Sequence, residues 1–237
     1  MEIKAILFDS GRVLNEPATG HWFIPPKFSE FVNEQKYKDI DKKVLNLAFH
    51  TASAYISEQK WIKNEDEEYA HFLGFYRIFA AELPQLGLTD EIVNSLASDL
   101  VYNYEKYKFF PDAVELIPEL SKTYKLAVVS DAWPSLEHVF KQAGLRDYFS
   151  SFVISSVIGV TKPHELMYKT ALEELNLSPS EVVFIDDNVR NCDGAHELGI
   201  RSFLLCRDWK HYMYSKITCR KHTAVRDLYD VIKNLRR

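Results

Sequence analysis

Acidic and hydroxyl side chains stand directly after three short apolar segments of this sequence. The segments are residues 3–8, 126–129 and 182–185, and they are followed by Asp9, by Ser130 and Asp131, and by Asp186 and Asp187, respectively. Each segment has the length and the apolar content of a buried strand. Ligands of a parallel sheet bind beyond the carboxyl ends of its strands, so we expect these side chains to meet in one crevice.

Three of these side chains, Asp9, Asp186 and Asp187, would concentrate negative charge in that crevice. Crowded carboxylates repel one another, and their removal from water costs further free energy. Capping of the following turn or helix explains any one aspartate well, but it does not explain the whole set together with Ser130 and Lys162. A hard divalent cation such as Mg²⁺ prefers oxygen ligands and would compensate the charge, with Lys162 as a second positive group. The sequence therefore predicts a Mg²⁺ site at this edge of the sheet.

The segments that must position these residues alternate with helical patterns. Residues 203–205 and 152–154 form two further apolar segments, and Met167, Ala171 and Leu175 recur every four residues as on one face of a helix. Strands that alternate with helices indicate a parallel sheet covered by helices on both faces. We therefore predict an α/β fold with a Rossmann-like, three-layer α/β/α core.

The stretch from residue 16 to residue 107 shows helical spacing and no convincing strand. The apolar residues of its central helix are Tyr69, Phe72, Leu73, Tyr76, Ala80 and Leu83. We interpret the aromatic stripes as helix–helix core rather than as a ligand site. The predicted organisation is an all-α domain of residues 16–107, inserted after the first strand into an α/β core domain of residues 1–15 and 108–237.

The composition excludes several classes of protein. The formal net charge of −5 over 237 residues disfavours binding to nucleic acid or to an anionic membrane, because both need a concentrated basic surface. The three cysteines do not make a disulfide framework and are typical of a reducing compartment. No apolar segment approaches the roughly 20 residues that span a bilayer. We expect a soluble cytoplasmic protein.

Four motifs in this order resemble the haloacid dehalogenase superfamily of hydrolases. ILFDSGRVL is similar to the first family motif, a strand followed by D-x-D-x-[TV], and LAVVSDA is similar to the second, a strand that ends in Ser or Thr. GVTKPHELMYKTALEEL is similar to the third motif, a Lys often followed by Pro before a helix. VVFIDDNVRNCDGAHELGI is similar to the fourth, DDxxxN, and the insertion between the first two motifs resembles the family's helical cap. Each motif alone is weak, but four in order are specific.

The resemblance implies a phosphatase mechanism that depends on Mg²⁺. Asp9 would attack phosphorus and form an aspartyl-phosphate, which water then hydrolyses. Ser130 and Lys162 would hold the phosphoryl oxygens, with Asp131 as a further candidate at the phosphate, and a small phosphorylated metabolite would be the substrate.

The same resemblance implies the ligands of the cation. Mg²⁺ would bridge Asp9 and the phosphoryl group, and Asp187 would be the ligand from the fourth motif. Asp186 and Asn191 would ligate directly, ligate through water, or orient Asp187.

The sequence departs from the family pattern at Gly11, where phosphatases of this type carry a second Asp. That residue binds the metal through its carbonyl, and its side chain protonates the leaving group and then activates water. Gly11 keeps the carbonyl and loses the acid, which is worth about 10²–10⁴-fold in rate. The neighbouring Arg12 would either contact a substrate anion or pair with a nearby acid such as Glu16.

Three interpretations of the function follow. The first is a Mg²⁺-dependent phosphatase of a small phosphomonoester. The second is a dehalogenase-like hydrolase, which fits Gly11 because a halide leaves without a proton, although Asp186 and Asp187 would burden a site that has no metal. The third is a catalytically weak or non-enzymatic relative that binds a phosphorylated ligand or a protein.

Overall fold

A computed structural model gives the structure of residues 2–235. Its strands are β1 (Ala5–Phe8), β2 (Asn15–Pro17), β3 (Tyr107–Phe109), β4 (Lys125–Ser130), β5 (Phe149–Ile154), β6 (Val182–Asp186), β7 (Arg201–Leu205) and β8 (Thr223–Val225). Its helices are α1 (Phe28–Phe31), α2 (Glu34–Lys38), α3 (Lys42–Glu58), α4 (Glu65–Glu82), α5 (Asp90–Tyr102), α6 (Pro111–Leu120), α7 (Ser135–Gln142), α8 (Ser155–Ile158), α9 (Glu165–Leu175), α10 (Val189–Glu197), α11 (Trp209–Thr218) and α12 (Leu228–Leu235).

Six of the strands form one parallel sheet in the order β5-β4-β1-β6-β7-β8. Strand β1 lies between β4 and β6, and Phe8 is in register with Val128 on one side and with Ile185 on the other. The carboxyl ends of the three strands that carry the predicted motif residues are therefore adjacent. The α/β fold and its parallel sheet are confirmed.

The central strand β1 forms because every one of its side chains is apolar and buried. All four residues of β1 are fully buried, as expected for a strand covered on both faces. Helix α9 presents Met167, Tyr168 and Ala171 to residues of β1, β4 and β6, so the four-residue spacing seen in the sequence faces the sheet.

The helical part of the chain has its own core. Phe72, Phe75, Tyr76 and Phe79 of α4 are buried among residues of α3 and α5. Asn64 caps α4 by accepting a hydrogen bond from the Glu67 backbone N–H. The sequence analysis expected no strand in this region, and β2 and β3, which pair with each other, lie at its two ends.

The chain divides into two compact units. The core unit contains Met1–Glu16, Lys108–Ala132 and Phe140–Arg237, and the helical unit contains Pro17–Tyr107 and Trp133–Val139. Trp133–Val139 lies outside the inserted range that the sequence suggested, and it groups with the helical unit because the Trp133 ring packs 4.9 Å from that of Phe72. The domain boundaries given above stay a prediction.

None of the helices described has the length and apolar content needed to cross a membrane.

Candidate active site

Three carboxylates meet at the carboxyl ends of β1 and β6. Asp9 follows β1, Asp186 ends β6, and Asp187 is the next residue. One oxygen of each lies within 4.8 Å of the others, and this is the one such acidic, histidine or cysteine group among the residues that the structure describes. The adjacency of β1 and β6 produces this cluster, because Phe8 and Ile185 are register partners.

Lys162 lies inside the cluster. Its Nζ is 2.7 Å from Asp9 Oδ1 and 2.8 Å from Asp186 Oδ2, and its side chain is only 1% exposed. Burial raises the pKa of Asp9 to about 7, although the Lys162 ammonium opposes this rise. For Lys162 itself, burial would lower the pKa, but Asp9 and Asp186 outweigh it and raise the pKa. One lysine cannot neutralise three carboxylates, so the cluster favours a further cation.

Asp186 already has partners within the protein. Its Oδ1 accepts from the Asn188 backbone N–H at 2.8 Å, and its Oδ2 accepts from Lys162 at 2.8 Å and from Asn191 Nδ2 at 3.0 Å. The Asp186 side chain is fully buried. Its oxygens are therefore largely occupied by these three donors.

Asp187 is more accessible than Asp186. Its side chain is 25% exposed, and Arg12 Nη1 lies 3.6 Å from its Oδ2. Burial and the neighbouring Asp186 raise the pKa of Asp187, whereas Arg12 lowers it. Asp187 therefore offers more free oxygen lone pairs to a ligand outside the protein than Asp186 does.

Ser130 and Asp131 lie at the carboxyl end of β4, on the other side of β1. Ser130 ends the strand and is buried. Asp131 Oδ1 accepts from the Lys162 backbone N–H at 2.9 Å. Its carboxylate therefore holds the segment of residues 159–164, between α8 and α9, which we call the lysine loop. This oxygen of the Asp131 carboxylate is thus engaged within the protein, and the role of Asp131 at the phosphate stays a prediction.

The loop after β1 is held in part by hydrogen bonds between its own residues. Leu14 N donates to Ser10 O at 2.8 Å, and Asn15 Nδ2 donates to Ser10 Oγ at 2.7 Å. Arg12 N donates to Asn15 O at 2.6 Å, and Arg12 has a φ of 61°, in the left-handed region. Gly11 lies within this loop, two residues after Asp9, and forms an isolated bridge with Asn15.

Residues 3–199 match the model of the family described as haloacid dehalogenase-like hydrolases. The chain belongs to this family. The hydrolase family that the four motifs indicated is therefore confirmed over most of the chain.

Relatives of this haloacid dehalogenase-like hydrolase include enzymes of two kinds. An (S)-2-haloacid dehalogenase of Xanthobacter autotrophicus is 31% identical over 144 residues, which are 60% of this chain and 56% of that protein. A phosphoserine phosphatase of Thermus thermophilus is 27% identical over 129 residues, which are 53% of this chain and 52% of that protein. The chain thus spans about half the length of these curated relatives.

A solved structure extends the likeness to the whole fold. The HAD phosphatase of Thermococcus onnurineus has a TM-score of 0.65 to this hydrolase, with 98% of each chain covered at 19% identity. Identity this low shows the fold alone. Membership in the family does not distinguish a phosphatase from a dehalogenase, because the relatives include both. The choice between the two activities depends on the side chains of the site.

The sequence analysis missed two residues that hold the first motif of this hydrolase. Arg207, after β7, donates to the carbonyls of Arg12 at 3.2 Å and Val13 at 2.6 Å. Asp112 of α6 accepts from both terminal nitrogens of Arg207 at 3.0 and 3.2 Å, and the guanidinium lies 3.7 Å from the centre of the Phe110 ring. No sequence signal connects Asp112 with Arg207, since their contact depends on how α6 and β7 pack.

A close approach of α10 supports the lysine loop. A Cβ atom added to Gly194 would lie 2.5 Å from Pro163 Cβ and 2.9 Å from Pro163 O. Only a glycine lets α10 pack this closely against the residue that follows Lys162. Gly194 lies in the fourth motif, GAHELGI, but the sequence gave no reason to single it out.

Proposed function

We propose that this protein is a Mg²⁺-dependent phosphatase that hydrolyses a small phosphomonoester through an aspartyl-phosphate on Asp9. The observation that carries the proposal is the cluster of Asp9, Asp186 and Asp187, with ligand atoms within 4.8 Å of one another and one buried lysine among them. A dehalogenation site has no need of this excess of negative charge, whereas a site for a cation and a phosphoryl group does.

The donor set fits a hard divalent cation, because it consists of carboxylate and carbonyl oxygens. We assign Asp9, Asp187 and the Gly11 carbonyl as ligands, since their oxygens have the fewest competing partners in the protein. Asp186 and Asn191 orient the cluster, because Asp186 already accepts hydrogen bonds from Lys162, Asn188 and Asn191. When bound, Mg²⁺ supplies Lewis-acid stabilisation of the charge on the phosphoryl oxygens.

Each residue of the site has a separate role in the proposed reaction. The Asp9 oxygen forms a bond to phosphorus while the bond to the ester oxygen breaks, and water later cleaves the aspartyl-phosphate to release phosphate. Lys162 and Ser130 hold the phosphoryl oxygens, and Lys162 also favours the ionised form of Asp9. Asp131 positions the lysine loop through the Lys162 backbone N–H.

The leaving group receives no proton from position 11. Gly11 has no side-chain acid. Asp131 is another candidate proton donor, and its Oδ1 already accepts from the Lys162 backbone N–H. We therefore propose substrates whose leaving group departs readily as an anion.

A panel of sugar phosphates, nucleotides and acyl phosphates, assayed with and without Mg²⁺, tests the proposal. We expect release of inorganic phosphate that disappears with a chelator and falls by roughly a thousandfold or more in Asp9→Asn. Asp147→Asn, at an exposed position, is the matched control and should keep full activity. Phosphate release that persists in Asp9→Asn would contradict the proposed nucleophile.

Dehalogenation is the second candidate, because Gly11 removes the acid that a halide does not need and a relative is an (S)-2-haloacid dehalogenase. The same protein is therefore assayed for halide release from both enantiomers of 2-chloropropionate in the presence of a chelator. Halide release without metal, together with an inactive phosphate panel, would replace the first proposal by the second. Binding of phosphorylated ligands without turnover in either assay would favour the non-enzymatic alternative.

A further inference from the structure

A groove opens in the core unit beside the carboxylate cluster. Its volume is about 850 Å³, within the range of small-molecule sites. The loop after β1, the start of α10, the end of β7 and α11 line it, and Arg12 and Asp187 lie on the side next to the cluster. A molecule held at Asp9 could therefore extend into this groove.

Arg12 projects from a fixed backbone with a side chain that is free to bind. Its N–H and its carbonyl are engaged by Asn15 and Arg207 at 2.6 and 3.2 Å. Its side chain is 70% exposed, and the 3.6 Å contact with Asp187 is longer than a hydrogen bond. A guanidinium carries five N–H donors, so most of those of Arg12 remain available.

A cation in the cluster would change the partner of Arg12. Asp187 is the acid that pairs with Arg12, and it is also a proposed ligand of the cation. A cation bound to the Asp187 oxygens competes with Arg12 for them and weakens this ion pair, while Arg12 still lines the groove. The guanidinium is then available to an anion on the substrate.

We propose that the groove is the subsite for the leaving group and that Arg12 binds a carboxylate there. This inference rests on the proposed function and names its substrate class: phosphate esters whose organic part carries a carboxylate. A planar guanidinium matches a carboxylate with two parallel hydrogen bonds.

The other charged residues of the groove favour a carboxylate over a second phosphate. Glu16 and Asp208 also line it, and they repel a dianion more strongly than a monoanion. The second arginine of the groove, Arg207, is already committed to Asp112 and to two carbonyls. Phe110 and Tyr214 provide apolar surface for the carbon chain of the leaving group.

A pair of unreactive phosphonates tests the subsite without turnover. 3-Phosphonopropionate and propylphosphonate differ only by a carboxylate in place of a methyl group, and their binding in MgCl₂ is measured by isothermal titration calorimetry. We expect the protein to bind 3-phosphonopropionate roughly tenfold or more tightly than propylphosphonate, as a charge-assisted hydrogen bond would give. Arg12→Ala should remove this preference, and Arg12→Lys should keep part of it.

Arg190→Ala is the matched control, since Arg190 is an exposed arginine of α10 that is absent from the groove lining. It should keep the preference, which excludes a general effect of positive charge. Equal affinity for the two phosphonates, no measurable binding of either, or a preference that survives Arg12→Ala would overturn the subsite.

The failure of the subsite and the failure of the proposed function are distinguishable. Phosphate release that depends on Asp9, without a preference between the phosphonates, would support the proposed phosphatase activity and overturn the carboxylate subsite. Tighter binding of 3-phosphonopropionate that depends on Arg12, without turnover of any phosphate ester, would support the carboxylate subsite and overturn the proposed phosphatase activity.

Discussion

Asp9 is a buried carboxylate whose ionised form stays costly even beside the Lys162 ammonium. In the folded protein its pKa rises from 3.8 to about 7, with burial as the largest cause and Lys162 opposing it. Between these two values the folded state retains a proton that the unfolded chain has released. The contribution of Asp9 to stability therefore decreases as the pH rises through this window in the metal-free protein.

Asp9→Asn should remove that pH dependence. With a chelator present, we expect the variant to gain thermal stability relative to the wild type as the pH rises from 3.8 toward 7, because an amide does not ionise. Differential scanning fluorimetry across this range measures the difference in Tm. Asp147→Asn serves as the control, and a difference in Tm that is constant with pH would contradict the assigned pKa shift.

Gly11 is the residue at which this chain lacks the acid of related phosphatases. Gly11→Asp should restore a proton donor and speed the hydrolysis of alkyl phosphates by roughly tenfold or more, while p-nitrophenyl phosphate should gain much less. The ratio of kcat/KM for the two esters is the measurement. Gly11→Asn has the same shape without the acid and should leave the ratio unaltered. Equal acceleration of both esters would count against the missing-acid explanation.

At the scale of elements, α10 packs directly against the lysine loop beside Lys162. Lys162 reaches Asp9 and Asp186 from a loop that Asp131 holds at its backbone N–H and that Gly194 contacts through Pro163. The loop and the helix come from separate motifs, and their packing combines them into one site.

Gly194→Ala should move the lysine loop. The added methyl group would lie 2.5 Å from Pro163 Cβ, so either the helix or the loop must shift. We expect a loss of about 1–3 kcal/mol of unfolding free energy, as for overpacked positions, together with a fall in kcat. Urea denaturation and the phosphatase assay measure the two effects. Glu197→Ala, at an exposed position of the same helix, should change neither; full activity and stability in Gly194→Ala would show that the loop tolerates the methyl group.

At the scale of the whole molecule, buried charges join distant parts of the chain within the helical unit. Lys106 Nζ contacts Ser135 Oγ at 2.6 Å and Leu100 O at 2.8 Å, and it lies 3.8 Å from Glu68 Oε1. Glu68 in turn accepts from the Ser135 backbone N–H at 2.8 Å. Because Ser135 follows β4 in sequence, this network holds the segment after the second motif in the helical unit.

Lys106→Met should destabilise the protein by about 3–5 kcal/mol, since it leaves Glu68 buried without its cation. The double variant Glu68→Gln/Lys106→Met should recover part of the loss, because no charge is then left unpaired. The midpoint and slope of urea denaturation measure both variants. If the double variant were no more stable than Lys106→Met, the unpaired charge of Glu68 would not be the cause of the loss.

Much of the core could be predicted from the sequence, because apolar strand segments and helical spacing are local patterns. Asp9, Ser130 and Asp186 were identified because each stands at the end of such a strand, and parallel strands end on the same edge of a sheet. The four motifs also indicated the hydrolase family. These features depend on residues close together in the chain.

The strand order, and with it the distances in the site, required the tertiary structure. The sequence did not determine that β1 lies between β4 and β6, that Asp131 is used by the Lys162 backbone, or that Arg207 and Asp112 hold the loop after Asp9. The grouping of residues 133–139 with the helical unit was equally out of reach. Arg207 and Asp112 are 95 residues apart, and their contact exists only because sheet and helices bring both to one edge. Local patterns determine which segments form and what chemistry they carry, whereas contacts between distant residues depend on the register and packing of the whole fold.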